Sequence, residues 1–298
     1  TWLRDLPGVL RAVAVGLLIG AMARPLDVIQ PRHGNDEGID IVLVLDLSGS
    51  MQAVMENLPQ ELAQYVGPRP PGVALNRLDT AKAVIRDFIS RRQSDRIGVV
   101  VFGKDAYVLS PPTLDYHLLD VLVSSMRLQL IDGGSTAIGD AIGVAVARLR
   151  RSKAETKTVI LLTDGDNNAG RYSPEYAAEL ATKVGVKLYT IQIGTGETAK
   201  VQDGIDALGQ PHFVHYPFPV NPKLLAELAD KTGGKTYVAT DAKTLRDSFH
   251  DVLDSLEKTR FEAATASYDE LFDLLLLPGA LLLGIEVVLR ALLLRRFP

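Results

Sequence analysis

Between residues 39 and 258, apolar positions recur by turns with a strand-like and a helix-like spacing. Residues 39–45 form an apolar run rich in β-branched side chains, which predicts a strand buried on both faces. Residues 77–89 place Leu78, Ala81, Val84, Ile85 and Phe88 on one side of a helix. Residues 97–102, 158–162 and 187–193 read as further buried strands, and 235–239 as a last one. Residues 106–109 run into Pro111-Pro112, which suits an edge strand because proline cannot donate to a ladder. Residues 116–126, 136–149, 175–184 and 222–231 read as helices, the last stopped by Gly233-Gly234. A long amphipathic helix follows over 241–258, with Asp241 as its N-cap. The alternation predicts an α/β fold, a mostly parallel central sheet with helices on both faces. Ligands of such sheets bind at the carboxyl ends of strands, where the strand order reverses.

Two stretches break the pattern. Residues 52–76, with Gly67-Pro68-Arg69-Pro70-Pro71-Gly72, look like an insertion beside the end of the first strand, and 195–220 form a long connection without predicted elements. Loops of that length in a compact domain are usually functional or disordered.

Apolar segments flank the α/β region at 6–22 and 271–294. A helix needs about 20 apolar residues to cross a bilayer, and both segments are expected to span. Arg11, Glu286 and Arg290 favour a buried or interfacial helix instead, although Glu286 and Arg290 lie one turn apart and could pair. With both segments spanning, Thr1 and Pro298 lie on one side of the membrane. Arg290, Arg295 and Arg296 then mark that side as cytoplasmic, whereas Arg4, Arg11, Arg24 and Arg32 flank the first helix ambiguously. Ala12, Gly16 and Gly20 on the first helix, and Ala280 and Gly284 on the second, offer small-residue ridges for helix packing. The expected organisation is an N-terminal transmembrane helix (1–25), an extracytoplasmic α/β domain (39–258), and a linker with a C-terminal transmembrane helix (259–298).

With 47% hydrophobic and 23% charged residues the chain can build a core, and its net charge of −4 argues against nucleic-acid binding. Absence of cysteine excludes disulfides, thiolate metal sites and a cysteine nucleophile. The chain starts at Thr1, and no small-residue cleavage site follows the first apolar run.

The candidate chemistry sits where the first strand ends, in Asp46-Leu47-Ser48-Gly49-Ser50-Met51. A carboxylate and two hydroxyls at alternate positions present oxygens toward one point. Such hard donors suit Mg²⁺, at about 2.1 Å and near-octahedral, better than zinc. Two later segments can complete the site: Gly133-Gly134-Ser135-Thr136 offers the Thr136 hydroxyl, and Leu162-Thr163-Asp164-Gly165 the Asp164 carboxylate.

On these residues the sequence resembles the von Willebrand factor A (VWA) family, a Rossmann-like α/β fold. Its metal-ion-dependent adhesion site (MIDAS) has the pattern Asp-x-Ser-x-Ser, then Thr, then Asp, matched here by Asp46, Ser48 and Ser50, then Thr136, then Asp164. The resemblance implies that the serines and the threonine bind the metal directly or through water. It also implies that the aspartates orient the shell, and that an open position takes a partner's Asp or Glu. More specifically, residues 38–46, Asn76-Arg77-Leu78, 133–140 and Thr163-Asp164-Gly165 resemble the Bat (BatA/BatB-like aerotolerance) membrane VWA proteins. That resemblance implies a bacterial inner-membrane protein with its domain in the periplasm, beside other Bat-like subunits and a MoxR-type AAA+ ATPase. It further implies another membrane helix upstream and a shorter 52–76 stretch. Mg²⁺ is the expected ion, with Mn²⁺ or Ca²⁺ as alternatives.

Other readings are weaker. Gly133-Gly134-Ser135-Thr136 lacks the lysine of a nucleotide P-loop, and Ser48 lacks the glycines of a nucleophile elbow. Asp164, Asp166, Asn168 and Glu175 mimic part of a calcium loop, but Ala169 stands where glycine is required. His212 and His215 have no third ligand nearby in sequence. A Mg²⁺-dependent phosphoester hydrolase would use the same metal but lacks an evident nucleophile or base. A scaffold with a non-functional metal site is the remaining alternative.

Overall fold

The computed structural model describes residues 2–23, 26–28, 38–55, 57–195, 198–205, 210–265, 268–270 and 272–293. Arg24, Arg32, Arg295 and Arg296, used above for orientation, lie outside the described residues. The chain divides into two units, Asp36–Glu257 and the flanking pair Thr1–Asn35 with Lys258–Pro298. In chain order the elements begin with α1 (Trp2–Met22), β1 (Leu26–Val28), β2 (Asp40–Asp46), α2 (Arg77–Ser90) and β3 (Arg96–Phe102). There follow β4 (Ala106–Thr113), α3 (Tyr116–Ser125), α4 (Ile138–Leu149), β5 (Lys157–Thr163), α5 (Pro174–Val184) and β6 (Val186–Ile193). The remainder are β7 (Thr198–Ile205), β8 (Pro211–Pro217), α6 (Pro222–Thr232), β9 (Thr236–Ala239), α7 (Ala242–Thr265), β10 (Tyr268–Glu270) and α8 (Phe272–Leu293).

The central sheet has the order β4-β3-β2-β5-β6-β9, parallel except for antiparallel β4 at one edge. Every residue of β2 is buried, as a central strand covered on both faces requires. Its side chains alternate between two cores. Ile41, Leu43 and Leu45 join Ile97, Val99, Leu162, Leu78, Ile85, Phe88 and Phe249 on the face of α2, α3 and α7. Val42 and Val44 join Val100, Phe102, Leu161, Ile142, Ala178 and Leu225 on the face of α4, α5 and α6. The chain leaves β2 toward β3 on one side and returns through β5 on the other, so strand order reverses between β2 and β5. Their carboxyl ends, Asp46 and Thr163-Asp164, open onto that crevice.

The two irregular stretches meet. Residues 198–205 and 211–217, where no element is predicted, pair antiparallel as the ribbon β7–β8. Its inner strand is bridged to the 52–76 stretch at Ala53–Val201, and Val54 N–H donates to Lys200 O at 2.7 Å. The excursion closes at its own neck, where Val54 bridges Asn76 and Arg77 N–H donates to Ala53 O at 2.8 Å. Alternation is a poor signal here because both faces of the ribbon are only partly buried. Asp241 caps α7 as expected, accepting from Thr244 N–H at 2.8 Å. Strand β4 runs on through Pro111-Pro112 to Thr113, which an unpaired outer edge tolerates.

In the flanking unit, β1 and β10 pair antiparallel and α1 packs on α8. Among the described residues one helix is long and apolar enough to cross a membrane, Phe272–Ala291, with mean hydropathy 2.1. It exposes Leu274, Leu277 and Leu281, unlike a core helix of a soluble protein. Of the expected N-terminal span, α1, the apolar part among the described residues is Gly8–Met22, about 22 Å at 1.5 Å per residue against a hydrocarbon core of about 30 Å, so of the two expected spans the C-terminal one alone reaches that length here. The helices approach at Gly20, where a methyl would lie 3.4 Å from Leu275, and at Gly279, where it would meet Leu18 at 3.2 Å. Gly16 and Gly284 of the expected ridges have nothing within 4 Å. Glu286 is buried, with Arg290 Nε 3.7 Å away, a long pairing.

Candidate metal centre

Strand β2 delivers Asp46 to the crevice fully buried, and the chain then turns into a short 3₁₀ helix, Gly49–Gln52, carrying Ser48 and Ser50 back over it. Ser48 N–H donates to Asp46 Oδ1 at 2.8 Å, so the carboxylate fixes the turn that follows it. The Ser48 and Ser50 hydroxyls are 2.9 Å apart. Ser50 Oγ donates to Asp164 Oδ1 at 2.5 Å, joining the first strand's loop to the end of β5. Thr163 Oγ1 donates to the other oxygen of Asp46 at 2.6 Å.

The Thr136 segment is held from two sides. Gly49 N–H donates to Gly133 O at 3.0 Å, and a methyl on Gly133 would stand 2.6 Å from Leu47 O, so only glycine allows this approach. Thr136 N–H donates to Asn168 Oδ1 at 2.7 Å, and Ile138 N–H to Asn167 Oδ1 at 2.9 Å, capping the start of α4. Thr136 is buried, and a methyl on Gly165 would lie 3.5 Å from its Oγ1, which sets that hydroxyl beside the Asp164 turn. Four of the five predicted residues, Asp46, Ser48, Ser50 and Asp164, thus form one hydrogen-bonded chain through the Ser48–Ser50 contact, with Thr136 alongside.

Sequence reasoning missed Arg77. Its side chain is 7% exposed, and Nη1 donates to Asp164 Oδ2 at 2.6 Å. Arg77 opens α2, where a cation is disfavoured by the helix dipole. A buried arginine at the wrong end of a helix was the available signal. Thr163 was also missed, although it adjoins Asp164.

The electrostatics follow from burial. Desolvation, then the charge of Asp164, pushes the Asp46 carboxyl up to about 7, against the hydrogen bonds from Ser48 and Thr163. Asp164 is also raised, by burial, although Arg77 and Ser50 pull it down. Of the two buried carboxylates only Asp164 is paired with a guanidinium, and Asp46 has no positive partner among the described residues. Oxygen donors and a deficit of positive charge fit a hard divalent cation.

The calcium-loop reading does not survive: Asn167 and Asn168 cap α4, Asp166 Oδ1 accepts from Asn167 N–H and Asn221 Nδ2, and Glu175 belongs to α5. His212 Nδ1 lies 2.6 Å from Asp203 Oδ1 on the hairpin. No cluster of three His, Cys, Asp or Glu occurs among the described residues.

The sequence matches the von Willebrand factor type A domain over residues 40–251. The chain belongs to the VWA family. VWA domains are metal-dependent protein-interaction modules. A Borreliella burgdorferi protein described only as uncharacterized is 33% identical over 204 residues, 68% of this chain and 54% of that protein. The chain therefore spans just over half of that relative's length. The crystal structure of BatB from Bacteroides thetaiotaomicron is 25% identical with a TM-score of 0.57, covering 74% of this chain and 100% of that one. Proximal thread matrix protein 1 from mussel byssus, with a zinc-occupied MIDAS motif, is 22% identical with a TM-score of 0.50, covering 72% of this chain and 44% of that one. That likeness is one of fold.

Proposed function

We propose that this chain is a membrane-anchored VWA module that binds an acidic side chain of a partner protein through a divalent metal. Asp46, Ser48, Ser50, Thr136 and Asp164 would hold the ion. A bound dication supplies a Lewis-acidic position for a carboxylate. The observation that carries the reading is Ser50, whose hydroxyl meets both Ser48 and Asp164 and draws separate stretches of chain to one focus. The mussel protein carries zinc in its motif; the oxygen-only donors here favour Mg²⁺, with Mn²⁺ or Ca²⁺ as alternatives.

The module acts as a binding protein rather than an enzyme, a reading supported by two carboxylates that are fully buried and committed to neighbouring donors. Similarity to BatB supports a place among Bat-like proteins; the proposed setting is the bacterial inner membrane, with the domain facing the periplasm and a MoxR-type AAA+ ATPase as a partner. Helix α8 is the anchor. The test is co-purification of the full chain in detergent with Mg²⁺ or with chelator. Capture of Bat-like or ATPase partners that disappears in chelator is the expected result, and equal capture in both would overturn the reading. Metal-stimulated turnover of a generic phosphoester would replace it with a hydrolase.

A further inference from the structure

We infer that Arg77 is a resident counterion that keeps the site assembled without metal, so that the cation can come and go from a folded domain. This rests on the metal reading above. The geometry shows a built arrangement. Arg77 is fixed at its backbone by Ala53 O at 2.8 Å and at its tip by Asp164 Oδ2 at 2.6 Å, with Ser50 O 3.5 Å from the same nitrogen. Its guanidinium fills a place that Gly194 leaves empty. A methyl on Gly194 would fall 2.2 Å from Nη2 and 2.9 Å from Cζ, and the residue's φ of +86° disfavours other side chains.

The arginine occupies one oxygen of Asp164 while Ser50 occupies the other. Asp164 is therefore held by donors on both sides and, with a metal bound, would act by orienting the Ser50 hydroxyl. With the two carboxylates ionised and one guanidinium, the site carries a net charge of −1. Without the guanidinium it would carry −2 in a buried setting, where an unpaired charge is strongly destabilising. A divalent cation would relieve the same repulsion. Arg77 and the metal thus act on one charge imbalance, and their contributions to stability cannot be independent.

The test uses the full chain in detergent, with thermal unfolding followed in chelator and in saturating Mg²⁺, and Mg²⁺ affinity measured by calorimetry. Arg77→Met is expected to lower Tm much more in chelator than in Mg²⁺ and to tighten Mg²⁺ binding tenfold or more. Arg77→Met/Asp164→Asn, which removes both charges, is expected to regain most of the Tm lost in chelator. A merely structural arginine would lower Tm equally in both conditions with unchanged affinity, and that result overturns the inference. If Arg77→Met folds in neither condition, Arg77→Gln takes its place; it removes the charge but keeps a hydrogen-bonding tip, and an equal Tm loss with and without Mg²⁺ has the same adverse meaning. If the wild-type chain shows no Mg²⁺ binding, the metal reading falls. The counterion role is then judged by the double variant in chelator, and failure of that variant to recover ends it.

Discussion

Asp46 and Asp164 are both fully buried, yet removing them should have opposite consequences. Asp164→Ala strands Arg77 without its partner, and breaking a buried ion pair costs about 3–5 kcal/mol. Its urea midpoint in chelator should fall accordingly. Asp46→Asn removes a carboxylate whose ionisation burial opposes, so its metal-free midpoint should hold or rise while any Mg²⁺-induced stabilisation is lost. Asp46 also sets a pH dependence. Folded, it ionises at about 7, and unfolded near 3.8, so the folded state retains the extra proton between those values. Metal-free stability should therefore be greatest at low pH within that window and fall as pH rises through 7, by a few kcal/mol in order of magnitude. Urea melts in chelator at pH 4.5 and 7.5 check this, with Asp46→Asn as the control that flattens the slope. A midpoint that rises with pH, and does so through Asp46, would contradict the burial argument.

At the level of elements, the 52–76 excursion and the β7–β8 hairpin brace each other beside the crevice. Gln202 on β7 holds the excursion twice, accepting from Ala74 N–H at 2.7 Å and donating to Gly72 O at 2.8 Å. Gln202→Ala should cost about 1 kcal/mol, the net worth of ordinary hydrogen bonds. It should also make the bond between exposed Val73 and Ala74 more susceptible to elastase while leaving Mg²⁺ affinity unchanged. Unaltered cleavage kinetics would show that other contacts hold the excursion. The ordinary elements of the domain were readable because each repeats its own period: β2 is buried throughout, and α2 turns Leu78, Ala81, Val84, Ile85 and Phe88 inward. The hairpin was not, because β7 and β8 pair with each other along mostly half-exposed strands that show no clean alternation, and the segment they brace lies more than a hundred residues away in sequence.

For the whole molecule, α8 is the proposed membrane anchor. Its exposed Leu277 and Leu281 have no place in water, and placing arginine at a bilayer centre costs about 2.5–3.5 kcal/mol per residue on insertion scales. Leu277→Arg/Leu281→Arg should therefore shift the chain out of the carbonate-resistant membrane fraction. Continued resistance would assign the anchoring to another segment. The α1–α8 contact offers a further check on that unit. Gly279→Leu would press on Leu17 and Leu18, where a single methyl already comes within 3.2–3.3 Å, and should weaken helix packing without altering Mg²⁺ binding.

The sequence alone determined the layered α/β domain and the identity of Asp46, Ser48, Ser50, Thr136 and Asp164 as a candidate set, because periodicity and turn motifs are local properties of the chain. Tertiary structure decided what lies between those residues. Arg77 reaches Asp164 across 87 positions, and Ser50 reaches it across 114. Neither encounter is encoded in a neighbouring residue. Each arises from the order of parallel strands, which sets the ends of β2 and β5 side by side, and from the space that Gly194 leaves for a guanidinium. Charge balance in a buried site is a property of that whole assembly.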